Sequence, residues 1–248
     1  RLPAERKIRS LARQYGVPVV FRLANCTYDK AEVFSDVALI LVPSKFSSEF
    51  YRDRLGIRTR VLYPFISRDH CLALSPKHSD LSTQARPFDP SINLRAGSAQ
   101  DRRFVTFINP SPQKGLALFV RLVQEAGRRF PGLPFLVVEG RWTKLELIRA
   151  GFWLENLPNL TFVRNQANMR QVYGATRILL CPSYWLEGFG GVTVEAQMNG
   201  IPVLASRRGG IPEALNGGGF LLEVPDGVPE GLSDGKELYE VAMRRSRL

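Results

Sequence analysis

Two glutamates, Glu187 and Glu195, frame a stretch whose side chains and backbone could together handle an anion flanked by hydroxyl groups. The stretch reads CPSYWLEGFGGVTVEAQMNGIPVLASRRGGIPE from Cys181 to Glu213. Gly188, Phe189, Gly190 and Gly191 make a loop whose glycines can adopt positive φ and let backbone approach a ligand closely. From Gly191 to Asn199 the pattern turns helical, with Val194, Met198 and Ile201 as its apolar stripe and Gly200 as its cap. A helix that opens at Gly191 and Val192 presents unpaired N–H groups and the positive end of its dipole, a natural seat for a phosphate. Carboxylates are poor phosphate ligands. Glu187, before the helix, and Glu195, one turn above Gly191, suit hydroxyls on either side of the anion. A sugar joined through a diphosphate to a ribose has that shape.

The elements that must hold these residues follow a strand–helix rhythm. Residues 177–181 (RILLC) suit a buried parallel strand ended by Pro182 and Ser183; Ser183 reads equally as a cap or a phosphate contact. Upstream, the pattern predicts a strand at 104–108, a loop at 109–115, a helix at 116–130 and a strand at 135–138. A helix running to about Glu155, a strand at 160–163 and a short helix at 169–173 complete that side. A last strand at 220–224 follows Gly217, Gly218 and Gly219. Strands alternating with helices imply a parallel sheet covered on both faces, with ligands beyond the strands' carboxyl ends. Lys114, Arg141, Arg164 and Glu187 all fall in loops at those ends; Arg141 and Arg164 fit a phosphate clamp, a base edge or a surface ion pair.

The first part of the chain carries the same rhythm in shorter form. Residues 2–15 make an amphipathic helix with Ile8, Leu11, Ala12 and Tyr15 on one face and Arg6, Lys7, Arg9 and Arg13 mainly elsewhere. A basic helix of this kind can lie on an anionic bilayer, though more often it is the solvated side of a sheet-packing helix. Strands are predicted at 17–23, 37–42 and 60–63, with a helix at 45–55 capped by Ser44 and stopped by Gly56. Residues 68–102 are polar, proline-bearing and patternless. The expected division is a partial N-terminal domain over 1–65, a linker or insertion over 66–102, a ligand-binding domain over 103–232 and a terminal helix over 233–248.

Composition narrows the class. The 248 residues are 44% hydrophobic and 23% charged, ordinary for an α/β protein. No apolar run approaches the ~18 residues of a membrane span, and the N-terminus does not read as a signal peptide. Cys26, Cys71 and Cys181 are scattered, which fits a reducing cytoplasm. His70, Cys71 and His78 lack a second ligand pair and read as a solvated loop, so no metal site is expected. The net charge of +11 is spread rather than clustered and no nucleic-acid motif appears, so nucleic acid is not an expected partner. A Gly-x-Gly-x-x-Gly fingerprint, a Walker A string and an Asp-x-Asp pair are all missing, against dinucleotide, P-loop and metal-clamped diphosphate chemistry.

The compound string PSxxxEGFGxxxxEAxxxGxPVxAxxxGGIPE resembles the donor site of retaining GT-B glycosyltransferases, the family four group marked by Glu-x7-Glu. The resemblance implies a GT-B-like α/β fold: a doubly wound parallel-sheet C-terminal domain behind a partial Rossmann-like N-terminal one. It implies that Glu187 contacts the transferred sugar, that Gly188, Phe189 and Gly190 supply backbone donors, and that Glu195 holds the ribose. Lys114 resembles the family's diphosphate-binding lysine. Where the family commonly adds an arginine a few residues earlier, this chain has Asn109 and Pro110. Residues 37–66 resemble the closing elements of the family's N-terminal domain, but 1–60 supply neither its further strands nor its glycine-rich acceptor loop, so a partner or a further segment would complete it. The expected function is metal-independent, retaining transfer from a nucleoside diphosphate sugar to a glycan, lipid, small-molecule or protein acceptor, with no cofactor beyond the donor. Alternatives are a nucleotide-sugar 2-epimerase of the same fold, or a nucleotide-binding module without catalysis. The expected location is cytoplasmic, with peripheral membrane contact through the basic helix.

Overall fold

The computed structural model describes residues 3–73 and 102–224, except 150, 153, 155, 156 and 158. The terminal helix expected over 233–248, and most of the proposed linker, lie outside the described residues. Among the described residues there are two parallel sheets, one three-stranded with order β1-β2-β3 and one six-stranded with order β6-β5-β4-β7-β8-β9.

The larger sheet is built from β4 (Phe104–Ile108), β5 (Phe135–Val138), β6 (Leu160–Val163), β7 (Thr176–Cys181), β8 (Val203–Ser206) and β9 (Phe220–Leu222). Its strands alternate sides as the period of two requires. Val105, Phe107, Phe135, Val137 and Leu180 face one core layer with α4 (Leu116–Arg129). Phe104, Leu136, Val138, Leu179 and Cys181 face the other. That second layer is closed by α6 (Arg170–Ala175), α7 (Gly191–Met198) and α8 (Ile211–Leu215). Phe107 stacks on Phe119 at 4.7 Å between ring centroids. Each such fully buried side chain contributes about 1.5–3 kcal/mol.

The strand order reverses between β4 and β7: β5 and β6 lie to one side of β4, β8 and β9 beyond β7. A crevice opens at such a switch point, outside the carboxyl ends of the two central strands. Loop 109–115 leaves β4 and loop 182–190 leaves β7, so the residues singled out by type converge there.

The smaller sheet comprises β1 (Val20–Arg22), β2 (Leu39–Val42) and β3 (Arg60–Val61), with α2 (Lys45–Leu55) packed on it. Ser44 caps α2 as expected, its Oγ accepting from Ser47 N–H at 2.9 Å, and Gly56 ends the helix.

Several expectations are corrected. The N-terminal helix α1 (Pro3–Gln14) does not turn its apolar face inward: Ile8, Leu11 and Tyr15 are 66%, 45% and 73% exposed. Arg9 is the buried residue, its guanidinium bonding Asp36 and the Val33 carbonyl at 2.9 Å. Two paired hydrogen-bond acceptors outweigh a narrow apolar stripe. The helix after β5, α5 (Lys144–Arg149), stops well before Glu155, where Gly151 takes φ +85°. Residues 68–71 are not patternless coil but a short helix, α3 (Arg68–Cys71), too brief to show periodicity; it packs on α6, and Cys71 joins the core. In α7 the fully buried positions are Thr193 and Ala196, with Val194 only half-buried, while Met198 packs on the core and Ile201 is buried in it as expected. Among the described residues no helix is long and apolar enough to cross a membrane.

Candidate functional site

At the crevice, Lys114 Nζ forms an ion pair with Glu187 Oε1, and Ser183 Oγ donates to the same oxygen at 2.9 Å. Lys114 ends a 3-10 turn (Pro112–Lys114) just before α4. A lysine at that end of a helix opposes the macrodipole, and the carboxylate opposite offsets the repulsion. Gly115 makes the approach possible. It takes φ +86°, and a Cβ there would lie 1.9 Å from the Pro182 carbonyl oxygen, so the loop after β4 rests directly on the loop after β7. Tyr184 and Trp185 N–H both donate to the Gln113 carbonyl across the same seam.

Glu187 is largely enclosed, its side chain 13% exposed against 31% for Lys114. Beneath it the Cys181 thiol is pushed up to about 12 by burial and then by the Glu187 charge, with Lys114 acting the other way. The thiol is therefore an inert wall of the site.

Behind Glu187 the chain runs through Gly188 and Phe189 to Gly190, which caps α7 in the left-handed conformation. Thr193 N–H folds back on the Gly190 carbonyl. The N–H groups of Gly191 and Val192, at the first turn, point out of the helix start, as in any helix. Further along α7, Glu195 stands apart from the Lys114–Glu187 pair. Its Oε2 accepts from Tyr173 Oη at 2.6 Å. Burial, then the Glu195 carboxylate, hold the Tyr173 phenol far above its ordinary range, so it remains a donor at any working pH.

The structure thus brings Lys114, Ser183 and Glu187 into contact and leads from them to the α7 amino end. Asn109 is engaged otherwise. At φ 59° its Oδ1 accepts from Arg141 N–H at 3.1 Å, which ties the β4 and β5 loop ends together. Arg141 and Arg164 are exposed at the carboxyl ends of β5 and β6.

Residues that the sequence reading missed complete the surroundings. Tyr173 carries no spacing signal, since its link to Glu195 spans two elements. Ser44 Oγ and Ser47 Oγ donate to the Gly188 carbonyl at 2.6 and 3.0 Å. The Glu213 carboxylate accepts from Lys45 N–H at 3.0 Å and Phe46 N–H at 3.2 Å, in the other sheet's α2. Among the described residues no group of three or more His, Cys, Asp or Glu side chains is placed to hold a metal ion.

Comparisons with known proteins agree with this architecture. A family model described as glycosyl transferases group 1 matches residues 102–235, more than half of the chain. D-inositol 3-phosphate glycosyltransferase of Nocardia farcinica is 36% identical over 154 residues, which is 58% of this chain and 34% of that protein. Its Mycolicibacterium vanbaalenii counterpart is 46% identical over 61 residues, 24% of this chain and 13% of its own. The chain matches about a third or less of the length of these relatives. Anabaena HepE, crystallised with UDP and glucose, superposes with a TM-score of 0.62 at 21% identity, covering 95% of this chain and 64% of its own. Sucrose-phosphate synthase from Thermosynechococcus elongatus gives 0.59 at 20% identity, with 95% and 60% covered. The fold is α/β and GT-B-like.

Proposed function

This chain belongs to the group 1 glycosyl transferases, and from that premise we propose that it moves a sugar from a nucleoside diphosphate sugar to an acceptor, with retention of configuration and without a metal ion. The observation that carries the reading is the meeting of Lys114, Ser183 and Glu187 at the switch point, ahead of the α7 amino end. A nucleoside diphosphate donor is further supported by the Anabaena neighbour's complex with UDP and glucose.

In this mechanism the donor diphosphate draws Lys114 away from Glu187 and lies between that ammonium and the N–H groups of Gly191 and Val192. Glu187, released, accepts hydrogen bonds from sugar hydroxyls and orients the ring. Glu195, aligned by Tyr173, accepts from the ribose hydroxyls. Arg141 and Arg164 are within the same loop layer for the phosphate or base edge. The bond between the anomeric carbon and the diphosphate oxygen breaks, and the acceptor oxygen attacks from the face that the diphosphate leaves. The acceptor's proton passes to a phosphate oxygen. Fixed donors facing a developing charge are each worth roughly 3 kcal/mol in such a site.

Peripheral contact with an anionic bilayer belongs to the same proposal, since Ile8, Leu11 and Tyr15 stand exposed beside exposed Lys7 and Arg13. Co-sedimentation with vesicles containing phosphatidylserine tests that part. A cytoplasmic location fits the three free cysteines.

The central test is a thermal-shift screen of nucleoside diphosphates, followed by product analysis with their sugar derivatives. Glu187→Gln should abolish transfer while nucleoside diphosphate affinity stays within about threefold, and Lys114→Ala should weaken that affinity by tenfold or more, about 1.4 kcal/mol. Undiminished affinity in Lys114→Ala would remove the site assignment. Sugar rearranged without any acceptor would favour an epimerase instead.

A further inference from the structure

Two of the hydrogen bonds between the two sheets meet at the backbone of one residue. The Gly188 carbonyl accepts from both Ser44 Oγ and Ser47 Oγ, two fully buried hydroxyls in the cap and first turn of α2. The two serine oxygens also lie 3.0 Å apart, so the Ser44 proton is shared between the Gly188 carbonyl and Ser47 Oγ. Ser44 donates to Gly188 and accepts from Ser47 N–H, while Ser47 donates to Gly188 and accepts from the Cys26 thiol, 3.8 Å away. Space is as tight as the bonding, because a Cβ on Gly188 would lie 2.4 Å from the Ala24 carbonyl oxygen. On its other side the Glu187 carbonyl accepts from Gly210 N–H at 2.7 Å. The segment that carries Glu187 is therefore gripped between α2 and the start of α8.

What holds α2 in that grip is Glu213, in the first turn of α8. Its two carboxylate oxygens take the N–H groups of Lys45 and Phe46, and Tyr63 Oη adds a third bond at 2.7 Å. Carboxylate bonds to a helix amino end combine charge assistance with the dipole. The Tyr63 ring also packs on Phe189, at 5.8 Å between centroids, so the same residue touches both the clamp and the loop.

We propose that Glu213 is a positioning residue of the donor site: by clamping the amino end of α2 it keeps Ser44 and Ser47 on the Gly188 carbonyl and so fixes the backbone that aims Glu187. The inference rests on the reading of Glu187 as the group that orients the transferred sugar. A role in stability alone would lower the melting temperature and leave turnover per folded molecule unchanged. The clamp acts on geometry at the reacting centre, where a misplacement of about 1 Å can cost a hundredfold.

The test uses the full chain, with Glu213→Gln, Tyr63→Phe and Ser47→Ala. Amide hydrogen exchange without ligand should quicken by about tenfold over 187–191 in Glu213→Gln, while the strands of the large sheet keep their protection. Tyr63→Phe, whose phenol lies at the surface, should give a smaller change of the same kind and covers the case in which Glu213→Gln does not fold. Turnover should fall by about tenfold or more in Glu213→Gln, with nucleoside diphosphate affinity within about threefold. Unchanged exchange over 187–191, or unchanged turnover in an otherwise active enzyme, overturns the clamp. A wild-type chain that transfers sugar from no nucleoside diphosphate sugar removes the functional reading instead. The exchange result then decides alone, faster exchange confined to 187–191 supporting the clamp and unchanged exchange rejecting it.

Discussion

Glu195 and Tyr173 are a pair in which one member was legible in the sequence and the other was not. A glutamate eight positions after Glu187 is visible as spacing along the chain. A buried tyrosine on α6 has no reason in the sequence to meet it, and its 2.6 Å bond emerges only when α6 and α7 pack on the same face of the sheet. Tyr173→Phe removes the partner but leaves the carboxylate in place. It should raise the donor KM by several-fold, and Glu195→Ala should raise it more, both with turnover nearly kept, because the interaction is made equally in ground and transition states. Steady-state kinetics over donor concentration checks both. Arg9 teaches the opposite lesson. Its apolar neighbours Ile8, Leu11 and Tyr15 give a tidy periodic face, yet the arginine is the residue that packs inward, because Asp36 and the Val33 carbonyl lie across from it. Periodicity reports which faces differ, and the partner decides which face is inside.

At the level of elements, the strands at Phe104–Ile108, Phe135–Val138 and Leu160–Val163 and the helix Lys45–Leu55 match the sequence expectation residue for residue. Each is a run of apolar residues or a capped helix bounded by local signals. Strand order is different in kind. The reversal between β4 and β7 is set by which helices cross which face, and it is what brings Lys114 to Glu187. The seam between their loops predicts a severe local mutation: Gly115→Ala adds a methyl group at a positive φ and against the Pro182 carbonyl. It should cost roughly 2–4 kcal/mol of stability, several degrees in melting temperature, and should disturb Lys114 as well. Chemical denaturation measures the loss. Gly56→Ala, with open space around the same kind of backbone, should cost about 1 kcal/mol.

For the molecule as a whole, Glu213 adds a charged group to the bonds that join the two sheets. Burial alone would raise its pKa, but the Lys45 N–H, Tyr63 Oη and Phe46 N–H bonds outweigh that and leave it below the usual carboxylate range. Such a group adds stability above its unfolded pKa and loses that contribution as pH falls through its depressed folded value. Protection of the interface should therefore hold from neutrality down to about pH 4.5 and fade below it, whereas Glu213→Gln should show no such dependence. Hydrogen exchange across a pH series decides the point. Chelator should leave transfer unchanged, and strong inhibition by EDTA would defeat the metal-free proposal.

The Gly188 contact has a consequence for anyone exchanging parts between relatives. A donor half grafted onto a foreign first half would bring Glu187 on a segment whose outer support, from Ala24, Ser44, Ser47 and Tyr63, stays behind. Chimeras cut cleanly between the sheets should therefore fold and bind nucleotide yet turn over poorly, until those residues travel with the graft.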